Sequence, residues 1–87
     1  MVPAINKNKN KRARLSEAPA DQELKIVMIR TGLDEKQKLS SMGLHIDDLL
    51  FIVRRARFGP ILLRMNSDKY GKIAVSRPIA DNILVEY

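Results

Sequence analysis

The sequence lacks cysteine and has one histidine, and these two shortages exclude several classes of protein. Without cysteine there is neither a disulfide framework nor a thiolate metal site, so we expect a reducing, cytosolic setting. The longest uninterrupted apolar run covers residues 49–53 (LLFIV), far below the roughly 20 residues of a membrane span. The basic start runs into Ser16 and Glu17 instead of an apolar stretch, so no secretory signal is predicted. A chain of 87 residues accommodates one domain.

Positive charge is abundant and unevenly distributed. The chain carries a formal net charge of +6, which makes nucleic acid or an anionic membrane the first partners to consider. Residues 1–20 hold five basic residues against one acidic residue, whereas residues 21–87 have a net charge of +2. The first segment also has two prolines and few bulky apolar residues, a composition typical of disorder. We therefore predict a disordered basic tail over 1–20, which acts as a solubilising extension, a nucleic-acid arm, or a tether to a membrane or partner.

Residues 21–87 are predicted to form a small, mainly β domain. Five short segments have the β-branched or alternating pattern of strands, and turn residues separate them. The sequence predicts one helix after the first strand, with Asp34 as N-cap and Gln37 completing a capping box. Gly43 follows the C-cap, and Leu44 is placed to close a Schellman motif on Leu39. Five strands and one helix predict a small SH3-like barrel. The predicted strands are 24–30, 49–53, 61–65, 72–76 and 83–85.

Three segments in this order resemble the FeoA family, the small cytoplasmic component of bacterial ferrous iron transport. Residues 38–44 (KLSSMGL) resemble the family's R-L-x-x-L/M-G-L/I segment. Residues 53–61 (VRRARFGPI) are similar to its V-R-x-A-P-x-G-D-P-I hairpin, and residues 72–85 to its C-terminal I-A-I/L-x-R-x-x-A-x-x-I-x-V pattern. The resemblance covers about residues 23–86. The resemblance implies an SH3-like barrel that is located in the cytoplasm or peripherally at the inner face of the membrane. It also implies a partner, a membrane iron transporter with a cytosolic GTPase domain.

The chain departs from the family pattern in two turns. His45, Ile46 and Asp47 stand where the family usually has T-P-G, so Asp47 takes the place of a glycine. Aspartate tolerates the left-handed region better than most residues but less well than glycine. In the hairpin, the acidic residue of the family is missing and Arg57 replaces a common proline. These changes bear on which partner the hairpin contacts.

Four residues are candidate partner contacts: Met42, Leu44, Arg57 and Phe58. Arg57 and Phe58 lie at the predicted hairpin tip, where an aromatic side chain beside a guanidinium suits a protein surface or a stacked base. The alternative is an ordinary solvated hairpin with Phe58 tucked onto the barrel. Met42 and Leu44 mark the end of the helix, and for them core packing is the alternative.

His45 is a weak candidate metal ligand, with Asp47 and Asp48 close in sequence. A stable Zn or Fe site needs three or four ligands, so a transition metal ion would require a second copy of the chain to complete the site. The alternative is that His45 is a solvated loop residue and that the two aspartates open a strand.

The residues leave two functional hypotheses. The first is an accessory or regulatory binding module of ferrous iron transport. The second is a small nucleic-acid-binding β-barrel, motivated by the basic tail together with Arg54, Arg55, Arg57 and Phe58. An enzyme is not expected, because Gly32, Gly43, Gly59 and Gly71 are isolated and form no phosphate-binding loop.

Overall fold

The structure is a computed structural model that describes residues 11–66 and 71–87. Within these residues it contains six strands and two helices. The strands form one antiparallel sheet with the order β1-β6-β2-β3-β4-β5. The mainly β, SH3-like prediction is confirmed, including the helix after the first long strand. The elements are β1 Arg12–Arg14, β2 Leu24–Ile29, α1 Leu33–Ser41, β3 Leu49–Arg55, β4 Ile61–Met65, β5 Lys72–Val75, α2 Arg77–Ala80 and β6 Ile83–Glu86.

The sixth strand, β1, lies inside the segment predicted to be a disordered tail. It pairs with β6 through Arg12 opposite Glu86 and Arg14 opposite Leu84. Directly after it, Leu15 and Ala18 are fully buried in the core. The predicted boundary at residue 20 is therefore wrong for residues 12–18, whereas residues 1–10 lie outside the described part of the chain.

The composition of the N-terminal segment concealed this strand. Basic residues dominate the segment, yet Ala13 and Leu15 alternate with Arg12 and Arg14 at the two-residue period of a strand. The arginines remain at the surface while Ala13 packs against the core and Leu15 enters it. The Arg12 guanidinium lies 3.0 Å from the Glu86 carboxylate, so part of the N-terminal charge is paired on the folded domain.

The first and last residues that the structure describes, Lys11 and Tyr87, meet at the end of this ladder. The Lys11 backbone N–H donates to the Tyr87 carbonyl at 3.1 Å, and the Tyr87 N–H donates back to Lys11 at 2.9 Å. Lys11 and Tyr87 are therefore hydrogen-bonded neighbours although they lie far apart in the sequence.

Helix α1 ends as the sequence predicts. The Leu44 N–H donates to the Leu39 carbonyl at 2.9 Å and the Gly43 N–H to the Ser40 carbonyl at 3.0 Å, the two bonds of a Schellman motif. Gly43 has φ +95°, and both leucines are buried in the core.

The start of α1 differs from the prediction. Gly32 is the N-cap and no side chain caps the helix, so the capping box on Asp34 and Gln37 is wrong. Asp34 lies inside the first turn instead, where a carboxylate still interacts favourably with the positive end of the helix dipole.

The hydrophobic core is formed by alternate residues of the strands, which lie on the inner face of the sheet. β4 contributes Ile61, Leu63 and Met65, and β6 contributes Ile83 and Val85. Neither helix within the described residues is long and apolar enough to cross a membrane.

Candidate partner-binding site

The four predicted contact residues are not equally available to a partner. Leu44 is 1% exposed, because the Schellman motif turns it into the core beside Leu39. Its predicted contact role is replaced by core packing. Met42 is 41% exposed and Phe58 is 83% exposed. Met42 and Phe58 also lie on opposite sides of β3 in the sequence. The end of α1 comes before this strand of seven residues, and the hairpin tip comes after it.

The β3–β4 hairpin presents Phe58 because of two irregularities in its backbone. Arg54 pairs with Leu62 while Ile52 pairs with Leu63, so Val53 is the extra residue of a β-bulge. A bulge bends a strand and increases its twist, which redirects the hairpin tip. Gly59, with φ +96°, then reverses the chain before β4. Phe58 is too exposed to be tucked onto the barrel, so that alternative is wrong.

A groove of about 510 Å³ separates the hairpin tip from the start of α2. Residues 57–60 line one wall and residues 76–78 line the other. Phe58, Pro60 and Pro78 give it an apolar surface, whereas Arg57 and Arg77 bring positive charge. No acidic side chain is present among the described residues that line it. We call this feature the hairpin groove.

Arg77 holds the two walls of the hairpin groove together. Its Nη2 donates to the backbone carbonyl of Ala56, which lies in the hairpin loop. Its Nε is buried and has no hydrogen-bond partner within the described part of the chain. A second arginine, Arg55, has a structural role, since its Nη1 donates to the carbonyl of Ala18. Arg57, in contrast, is exposed at the rim.

Sequence reasoning found one wall of the groove and missed the other. Residues 76–78 belong to the C-terminal pattern of residues 72–85, which indicates no binding role for them. Nothing local to residues 76–78 indicates that they face a hairpin about 20 positions earlier in the chain. The two walls are brought together by the way the chain turns from β5 into α2. That turn is a feature of the tertiary structure.

His45 belongs to a loop-closing hydrogen-bond cluster. Its Nε2 lies 3.1 Å from the Ser40 Oγ, and its backbone N–H donates to the Asp48 carboxylate at 2.8 Å. Its Nδ1 lies 3.4 Å from the same Asp48 oxygen. Asp47 is instead directed to Lys25, with 3.5 Å between its Oδ1 and the lysine Nζ. Within residues 11–66 and 71–87, no three potential ligands are grouped to hold a metal ion.

The order Ser40, His45, Asp48 matches that of a nucleophile, a base and an orienting carboxylate, but its surroundings do not suit catalysis. Ser40 lies in the last turn of α1, where the negative end of the helix dipole disfavours a developing oxyanion. The N–H groups of Met42, Gly43 and Leu44 already donate to helix carbonyls. The cluster therefore connects the end of α1 to the start of β3.

Comparison with known proteins gives one family and one fold. The FeoA domain profile matches residues 13–87. The crystal structure of an iron uptake regulatory protein (FeoA) superposes with a TM-score of 0.76 at 25% identity, covering 87% of this chain and 97% of that one. No protein of curated function matches the sequence.

Two further structures share the fold. A FeoA-like protein from Clostridium acetobutylicum has a TM-score of 0.70 at 24% identity, covering 88% of this chain and 87% of that one. A manganese-dependent transcriptional repressor in complex with manganese has a TM-score of 0.78 at 19% identity, and 87% of this chain aligns with 37% of the repressor. The same architecture thus occurs both as a short protein and as a part of a longer one.

Proposed function

The chain belongs to the FeoA family, and we propose that it is an accessory component of ferrous iron transport that docks on the cytosolic GTPase region of a membrane iron transporter. The family supports the process, and the hairpin groove supports the docking. In this proposal the chain acts in the cytoplasm, at the inner face of the membrane, and catalyses no step itself.

The observation that carries the docking step is the exposure of Phe58. An aromatic side chain that is 83% exposed leaves a large apolar area in contact with water. Binding to a partner surface would bury this area. Aromatic residues and arginine are the side chains most enriched among the dominant contacts of protein interfaces. Phe58 stands beside Arg57 at the rim of the groove, so both kinds of contact are available at one place.

The proposal is tested by equilibrium binding of the full chain to the purified GTPase region, with and without guanine nucleotide. Phe58→Ala removes the exposed ring, and we expect it to weaken binding about tenfold or more. Leu33→Ala is the matched control, because Leu33 is also strongly exposed, at 72%, but lies on α1. We expect the control to change the Kd by less than about twofold.

Two results would contradict the proposal. One is the absence of association at about 50 µM of either component. The other is an equal loss of affinity in Phe58→Ala and Leu33→Ala, since that would show a contact spread over the surface instead of one centred on the hairpin. Amide spectra of both variants establish that the fold is retained.

The nucleic-acid hypothesis draws on the same two side chains, since a base can stack on Phe58 while Arg57 contacts phosphate. The pairing of Arg12 with Glu86 leaves less free charge for such a role than the N-terminal composition predicts. The two hypotheses differ in how strongly salt is expected to weaken the complex.

A further inference from the structure

We infer that the hairpin groove binds an acidic peptide segment, one that carries a carboxylate next to an apolar side chain. This inference rests on the proposed docking function and specifies the partner's side of the contact. The segment would belong to the GTPase region of the transporter.

The apolar part of the groove fits an aliphatic or aromatic side chain. Phe58 and Pro60 line one wall and Pro78 lines the other, across a space of about 510 Å³. That volume is within the range of roughly 300–1,000 Å³ of sites that enclose small ligands. The groove is therefore large enough for a few residues of an extended segment.

The charged part of the groove fits a carboxylate. Arg57 and Arg77 line the same space and no acidic side chain of the described residues does. A guanidinium matches a carboxylate with two parallel N–H donors, which makes this pairing strong and directional. The charge of the groove would therefore be complemented by aspartate or glutamate.

Arg77 adds a donor that the folded chain leaves unused. Its Nη2 bonds to the Ala56 carbonyl, so the side chain is held in place between the two walls. Its Nε is buried without a partner in the described part of the chain. A buried N–H without an acceptor is unfavourable, but because this Nε has no accessible surface, a carboxylate in the groove would reach it only after the Arg77 side chain moves.

The inference is tested by NMR titration of the isotopically labelled full chain with two short peptides. The first is acetyl-Gly-Leu-Glu-Leu-Gly-amide, and the second replaces its glutamate with glutamine. We expect the glutamate peptide to shift the amide signals of Arg57, Gly59 and Arg77 with a Kd of about 1 mM, and the glutamine peptide to bind at least about fivefold more weakly.

Variants connect this preference to the groove. Arg57→Gln should reduce the difference between the two peptides to less than about twofold, because one of the two guanidinium groups is lost. Arg54→Gln is the matched control: it removes the same charge from an exposed arginine of β3 that does not line the groove. We expect the control to retain the preference.

Equal affinity for the two peptides, or shifts confined to other parts of the fold, would overturn the inference. An oligothymidine that shifts the same amides at lower concentration than the glutamate peptide would also overturn it, by assigning the groove to nucleic acid. The two proposals fail separately. Peptide discrimination without binding of the GTPase region contradicts the docking function and the assignment of the segment to that region, but not the preference of the groove for an acidic segment. Binding of the GTPase region without peptide discrimination contradicts the acidic segment alone.

Discussion

At the scale of single residues, Asp47 carries the largest departure from ordinary backbone geometry. It has φ +76°, a region in which an L-residue brings its Cβ too close to the backbone. Its N–H donates to the Ile26 carbonyl at 2.7 Å. This hydrogen bond connects the loop before β3 to strand β2. The family resemblance indicated a changed turn at this position, and the structure shows that Asp47 nevertheless adopts the left-handed region there.

Replacement of Asp47 tests this geometry. Asp47→Ala should lower the free energy of unfolding by about 1 kcal/mol, because alanine lacks the local side-chain hydrogen bonding that lets aspartate tolerate this region. Asp47→Gly should be as stable as the parent or up to about 0.5 kcal/mol more stable, since glycine adopts positive φ freely. Urea denaturation measures both. A comparable loss in the glycine variant would assign the effect to the exposed Asp47–Lys25 ion pair instead.

Gly43 offers a second test in which clashes with atoms outside the local backbone play no part. Its φ is +95°, and a Cβ placed on it would meet no atom within 4 Å outside its neighbours. Gly43→Ala should therefore cost about 1 kcal/mol through backbone conformation alone. Gly43→Asn should cost less, because asparagine visits this region more readily. Thermal unfolding that left the two variants equal would contradict this explanation.

At the scale of elements, local signals were enough for some features and insufficient for others. The end of α1 was predictable because a glycine and two leucines within six positions specify the Schellman motif. β1 was not predictable in the same way, because Arg12–Arg14 acquires its partner from Ile83–Glu86 at the other end of the sequence. The second wall of the hairpin groove was missed for the same reason. Composition averages over a segment, whereas a strand of three residues depends on where a distant strand lies.

The N-terminal strand makes a sharp stability prediction. Leu15 is fully buried, so Leu15→Ala should lower the free energy of unfolding by about 2–4 kcal/mol through lost burial and the cavity left behind. Arg14→Ala, the exposed neighbour in β1, should change it by less than about 0.5 kcal/mol. Chemical denaturation of both variants decides the matter. No effect of Leu15→Ala would mean that residues 12–18 are a tail after all.

At the scale of the whole molecule, the net charge of +6 suggests a polyanion partner more strongly than the structure does. Arg12 is paired with Glu86, and Arg55 is bonded to the carbonyl of Ala18. The Nη2 of Arg77 donates to the carbonyl of Ala56, whereas its Nε has no hydrogen-bond partner in the described part of the chain. Three of the eight arginines in the described part of the chain are therefore held in specific contacts within the domain, which reduces the charge available to a polyanion.

This distribution predicts the response of docking to salt. A contact that uses Arg57 and Arg77 involves few charges, so binding to the GTPase region should weaken about two- to fivefold between 50 and 200 mM salt. A protein that neutralises six to ten phosphates loses roughly 10³–10⁵ in affinity over the same range. Binding isotherms at the two salt concentrations distinguish these cases, and a loss of a hundredfold or more would favour a nucleic-acid partner.

The meeting of Lys11 with Tyr87 determines how the domain responds to mechanical force. Because these residues face each other at the same end of an antiparallel ladder, tension applied at the two ends loads the hydrogen bonds one pair at a time. The strands are then unzipped, as opposed to sheared along their whole length. β1 would peel away from β6 at low force, releasing Leu15 from the core before the remaining sheet opens.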